Sequence, residues 1–131
     1  MKVKTEKSII QKVKTFEQAC EMLNISPKSL PIVSNIDKKL RNYILAQYKL
    51  IIITQALNEG WKPNWGDHNQ LKYSVWHTIK TDGTGFDYSD CYRWDYLSVV
   101  PSRLLYKSSE LALYSGRQFK KLWKDYILIS K

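Results

Sequence analysis

The sequence predicts an α+β domain: two N-terminal helices, a small antiparallel sheet of three to four strands, and a C-terminal amphipathic helix. Three observations carry this. Apolar residues recur at helical spacing over 15–57, alternate over 71–96, and return to helical spacing over 109–128. The chain has 131 residues, 44% hydrophobic and 25% charged, enough for one core without metal or cystine. Residues 1–14 are set apart as a basic N-terminal arm, and 15–131 form a single domain.

Thr15 is the expected N-cap of the first helix, with Gln18 as its capping-box partner. Phe16, Ala19, Cys20 and Leu23 then share one face, and Asn24 and Pro27 end the helix. A long helix is expected over about 36–57. Its apolar line of Ile36, Leu40, Tyr43, Ile44, Tyr48 and Ile51 widens to all-round apolarity near 50–54, which predicts burial on several sides. Lys38, Arg41 and Lys49 share its remaining face, and Gly60 is the expected C′ residue. Residues 61–70 are loop, held by Pro63 and Gly66. Residues 71–79 alternate as a strand, followed by an Asp-Gly turn at 81–85. Two further alternating runs, 86–88 and 92–96, are separated by a register break at Ser89-Asp90 of the bulge type. A last strand is expected within 99–106. Ser108-Ser109-Glu110 caps a final helix over about 109–128, with Leu111, Ser115, Phe119, Leu122, Trp123 and Tyr126 on one face and Arg117, Lys120, Lys121 and Lys124 opposite.

The run GFDYSDCYRWDY at 85–96 holds five aromatic residues, three Asp and one Arg. A small sheet needs one buried face, and large aromatics fill such a face well. The expectation is therefore that Tyr92, Trp94 and Tyr96 pack against the last helix. A base-stacking surface is the lesser alternative, because Asp87, Asp90 and Asp95 would repel phosphates. Trp61 and Trp65, in a loop with Lys62, are better placed for exposed contact.

The net charge of +9 is uneven. Residues 1–14 carry +4 and 103–131 carry +5, while 15–60 and 61–102 are close to neutral at +1 and −1. Basic ends favour polyanions. Candidate phosphate contacts are Arg117, Lys120, Lys121 and Lys124, supported by Lys2, Lys4, Lys7, Lys12 and Lys14 on the arm. No base-reading motif accompanies them, so binding should tolerate sequence. The alternatives are docking on an acidic protein partner and, for the aromatic middle, lining a ligand pocket.

The catalytic inventory is thin. His68 and His77 are the two histidines, and Cys20 and Cys91, without a CxxC pair, suit free thiols in a reducing compartment. No ligand spacing matches a metal site. A Cys91–His77 pair on adjacent strands lacks a local signature. The expectation is a non-enzymatic protein without metal or cofactor. No window reaches the roughly 18 apolar residues of a membrane span, and MKVKTEKSIIQKVK lacks the apolar core of a secretory signal.

The segments ALNEGWKPNW, GFDYSDCY and SRLLYKSSELALYSGRQFKKLWKDY resemble small proteins carried by phages and prophages of gut Bacteroidetes. The resemblance spans roughly 15–129 and is most specific from Ser102 to Tyr126. It brings no established activity and no site residues. It implies a setting: a phage gene product made in the bacterial host cytoplasm, or packed in the virion. The reading is thus a phage-type accessory protein that binds nucleic acid through phosphate contacts. A structural or assembly protein of the particle and a ligand-binding counter-defence protein are the alternatives.

Overall fold

The computed structural model describes residues 8–129. Among them are five α-helices and a two-stranded antiparallel sheet, so the α+β class holds with fewer strands than expected. Lys2, Lys4 and Lys7 lie outside the described residues.

Residues 8–14 are part of the folded domain. Helix α1 (Ile9–Lys12) buries Ile9, and Val13 after it is fully enclosed. Tyr114 Oη donates to Val13 O (2.6 Å) and Gln118 Nε2 to Lys14 O (2.9 Å), which ties this segment to the last helices. Helix α2 (Phe16–Met22) begins at Thr15, whose hydroxyl accepts from Gln18 N at 3.1 Å. Gln18 does not close a capping box on Thr15. Its side-chain Oε1 accepts instead from Lys14 N (2.7 Å).

Helix α3 (Lys38–Leu57) starts at Asp37, which caps Lys39 N at 2.9 Å. Its second half is buried on several sides, with Leu50, Ile52, Ile53, Thr54, Ala56 and Leu57 enclosed. Arg41 leaves the basic face expected for it. Its guanidinium bends back to donate to Ser34 O (2.8 Å) and Ile36 O (3.0 Å), covering the carbonyls before the helix. Beyond the C-cap Asn58, both Glu59 (φ 50°) and Gly60 (φ 88°) are left-handed, so Glu59 takes the C′ position assigned to Gly60.

Strands β1 (Lys72–Ile79) and β2 (Phe86–Trp94) form one hairpin. The runs 86–88 and 92–94 belong to a single strand, and Asp95 and Tyr96 lie past its end. Ser89 and Asp90 pair regularly with His77 and Trp76, and the irregularity lies nearer the turn, where Thr78 faces Tyr88 but Ile79 faces Phe86. Asp87 is thus the extra residue of a bulge. The expected last strand is absent. Pro101 leads into a 3-10 turn at Ser102–Leu104, and only Tyr106 reaches the sheet, exchanging two hydrogen bonds with Tyr73 (2.8 and 2.9 Å). Leu104, Leu105 and Tyr106 are consecutively buried, which a strand with one wet face cannot achieve.

The final helix is two helices, α4 (Ser109–Gln118) and α5 (Lys120–Ile127), broken at Phe119 (φ −108°, ψ 37°). The break has a packing cause. Helix α4 lies on both strands while α5 packs on α3, so the halves on either side of Phe119 have different partners. Gly116 makes the α4 approach possible, because a Cβ there would sit 2.6 Å from Val75 Cγ1. The halves are tied by a buried chain of polar contacts. Thr54 Oγ1 lies 2.8 Å from Tyr106 Oη, Tyr106 Oη 2.6 Å from Ser115 Oγ, and Trp123 Nε1 donates to Ser115 Oγ at 3.1 Å. Burial pushes the Tyr106 phenol up to about 12, so it stays a neutral link.

Candidate functional site

The bulge decides which aromatics face water. Residues two apart on a strand normally share a face, and one extra residue exchanges the faces. Phe86 therefore falls with Tyr73, Val75 and His77, on the side covered by α4. Tyr88, Tyr92 and Trp94 fall with Trp76 on the other side, where Lys72 and Ser74 are buried at one end but three of the rings reach solvent. Tyr88 and Tyr92 are more than half exposed (54% and 56%), and Trp76 is 36% exposed. The expectation that Tyr92, Trp94 and Tyr96 are core is thus overturned: Trp94 is half-buried at the edge, and Tyr96 lies past the strand in solvent.

This outer face is ordered. The Trp76 indole donates to Cys91 O (3.1 Å) and its ring lies 5.8 Å from Tyr88. The Trp94 indole donates to Ser74 Oγ (2.9 Å) and meets Tyr92 edge-on at 4.9 Å. The carboxylates expected to repel phosphate are partly occupied. Asp90 accepts from Cys91 N (2.8 Å) and from Tyr88 Oη (3.3 Å), and Asp95 accepts from Tyr96 N (2.8 Å). Asp87 stays exposed in the bulge.

The basic residues of the last helices run beside β2. Arg117, Lys120 and Gly116 line a groove of about 230 Å³ with Asp87, Tyr88 and Ser89. The Lys124 ammonium reaches the hairpin turn at Gly85, 3.8 Å from where a Cβ would stand. Lys12 and Lys14 are exposed, and the Gln118–Lys14 bond brings the latter's backbone next to the Arg117 turn. Lys121 is spent differently, pairing with Asp125 at 3.3 Å along its own helix. Tyr88 is where the aromatic face and the basic ridge meet.

His77 lies under this ridge. Its ring stacks on Phe86 (3.9 Å, 9°), and Nδ1 is 2.6 Å from Ser89 Oγ. Burial first, and the Lys120 charge second, hold it down at about 4, so it is neutral near pH 7. A base that weak is poorly matched to proton abstraction at neutral pH. The sequence pairing of His77 with Cys91 is not made: the register sets Ser89 opposite His77 and Cys91 opposite Val75. The Cys91 thiol is pushed up by burial and by neighbouring Asp90, away from the thiolate form. His68, in the loop, has its ring 5.7 Å from Tyr96. No group of three metal-ligating side chains occurs among the described residues, and no helix there is long and apolar enough to cross a membrane.

Trp61 and Trp65 are half-buried rather than free in solvent. They line a cleft of about 470 Å³ between the end of α3, the following loop and the 3-10 turn. The sequence signal for the Trp76–Tyr88–Tyr92 surface was the alternation itself. Its orientation depended on one bulged residue, which no local motif marks. Comparison with protein-family models, curated proteins and solved structures finds no match to this chain.

Proposed function

We propose that the protein is a small non-enzymatic binder of single-stranded nucleic acid. Bases stack on Trp76, Tyr88 and Tyr92, and phosphates run along Arg117, Lys120 and Lys124, with Lys12 and Lys14 adding positive charge. The observation that carries this is the exposure of Trp76, Tyr88 and Tyr92 beside the basic groove along β2. Stacking is sequence-tolerant because every base offers a π-face, and each stacked base contributes about 1–3 kcal/mol. The phosphate contacts supply the salt-dependent remainder. A duplex keeps its bases paired and offers only the second term, so single strands should bind more tightly. The resemblance to phage-borne proteins supports an accessory role in the bacterial host cytoplasm.

Fluorescence anisotropy with labelled single- and double-stranded DNA across a salt series tests this. Three or four phosphate contacts predict a log–log salt slope of about −2 to −3 for the single strand. Trp76→Ala should weaken single-strand binding about ten-fold or more, and Lys120→Glu with Lys124→Glu should flatten the slope. Equal affinity for duplex and single strand, unchanged in Trp76→Ala, would remove the stacking surface from the mechanism. No binding at low salt would sink the nucleic-acid reading and favour an assembly role, in which the ridge docks on an acidic protein.

A further inference from the structure

The cleft beside α3 is a second site, on residues the sheet surface does not use. It is lined by Trp61, Trp65, Lys62, Arg103, Gln55 and Pro63, with buried Thr54 and Asn58 behind them. Three features point to one ligand chemistry. Its volume, about 470 Å³, suits a small ligand. Lys62 and Arg103 line the cleft together with the two indoles, and Ser102, which precedes Arg103, accepts from the Trp65 indole at 3.0 Å. No acidic side chain lines the cleft, and neither cation has an ion-pair partner among the described residues. The nearest acid in sequence, Glu59, reaches for Lys107 (3.4 Å) instead. A concave site with two positive charges and no negative one focuses potential on an anion.

The walls are preformed. The left-handed residues Glu59 and Gly60 turn the chain back so that Trp61 N donates to Asn58 O at 3.0 Å. Asn58 is itself fixed, its amide donating to Leu105 O (2.8 Å) and accepting from Lys107 N (3.1 Å). Trp65 is held by Ser102 on its edge and by the Lys72 ammonium 4.9 Å from its ring centre.

We propose that this cleft binds a planar aromatic anion of the size of a nucleoside monophosphate, its ring against the indoles and its phosphate on Lys62 and Arg103. Gln55, exposed on the last turns of α3, can hydrogen-bond the base edge. The proposal does not rest on the strand-binding surface described above.

Isothermal titration calorimetry with adenosine 5′-monophosphate, adenosine and inorganic phosphate tests it on the whole chain. The monophosphate should bind with a Kd below about 1 mM. Adenosine and phosphate, each offering one feature, should bind at least about ten-fold more weakly. Arg103→Ala and Lys62→Ala are surface changes that leave the walls intact, and each should lower affinity several-fold, while Trp76→Ala should not. No heat from the monophosphate at about 1 mM with folded protein overturns the inference. So does a Lys62→Ala/Arg103→Ala double variant that binds as the parent does. If Trp76→Ala abolishes monophosphate binding, the ligand sits on the sheet, which overturns the cleft but not the strand-binding reading. A parent protein that binds the monophosphate but no single strand at low salt overturns the strand-binding reading and leaves the cleft standing.

Discussion

Lys72→Met is the sharpest test of how the site is held. Lys72 is a fully buried ammonium, at 0% exposure. It donates to the carbonyls of Asp67 (3.1 Å), Gln70 (2.8 Å) and Asp95 (2.9 Å), and faces the Trp65 ring. All three acceptors are backbone, so the charge is solvated by dipoles rather than by a carboxylate. Hydrogen bonds to a charged group contribute about 1.5–3 kcal/mol each, and a partly desolvated cation–π contact adds about 1 kcal/mol. Against this stands the desolvation of the ammonium, several kcal/mol. Methionine keeps the stem's packing and removes the desolvation cost, but takes the ammonium from three carbonyls at about 1–3 kcal/mol each. The expected net loss is about 3–5 kcal/mol, against a total stability of about 5–15 kcal/mol. Urea unfolding followed by tryptophan fluorescence should show the midpoint falling by about 1.5–2.5 M for an m-value near 2 kcal/mol/M. A loss below about 1 kcal/mol would refute the reasoning, because the carbonyls would then be satisfied without the ammonium.

The other predictions rest on single contacts. Gly116→Ala should cost about 1–3 kcal/mol in a thermal melt, because its Cβ must displace Val75 between α4 and β1. Tyr106→Phe keeps the ring but deprives Thr54 and Ser115 of a partner, so chemical unfolding should show a loss of about 1–3 kcal/mol. His77 titrates at about 4 folded against 6.5 unfolded. Over that interval the unfolded chain binds a proton that the folded chain excludes, so stability is full above pH 6.5 and falls as pH drops towards 4. Solvent screening of a half-buried ring limits the loss to about 1–2 kcal/mol, and His77→Phe should flatten that part of the pH–stability curve.

The helices were legible because their signals are local: Thr15, the all-round apolar run at 50–54, and Ser108 each act within one or two turns. The break at Phe119 was not, because its cause is the different packing partners of α4 and α5. Lys72 alternates with Tyr73 and Val75 like a solvent-facing strand residue. Its burial depends on carbonyls from two loops that no pattern in the chain relates. The strand count failed at 99–106, where tertiary burial of Leu104, Leu105 and Tyr106 leaves one bridge to Tyr73. Of the basic residues picked out, Arg117, Lys120 and Lys124 gather beside β2, whereas Lys121 is paired with Asp125. Trp61 and Trp65, expected in exposed contact, are half-buried and line a cleft with Arg103, an enclosure that depends on the Trp65–Ser102 bond across the fold.

The outer aromatic face has a rival explanation that needs no ligand. A two-stranded hairpin is marginal by itself, and neighbouring aromatics across or along strands add about 0.2–1 kcal/mol per pair. The rings could serve only to stiffen the hairpin. Tyr92→Thr separates the two roles, because threonine, being β-branched, keeps a preference for a strand and removes the ring. Tyr92 is more than half exposed and its one aromatic neighbour is Trp94, so the stability cost should stay near or below about 1 kcal/mol. A core aromatic would cost about 3–5 kcal/mol. If the ring stacks a base, the same change should weaken single-strand binding by about five-fold or more at unchanged fold. A variant that loses several kcal/mol would return Tyr92 to a packing role. One that loses neither stability nor affinity would leave Trp76 and Tyr88, at the basic end of the face, as the whole of the stacking surface.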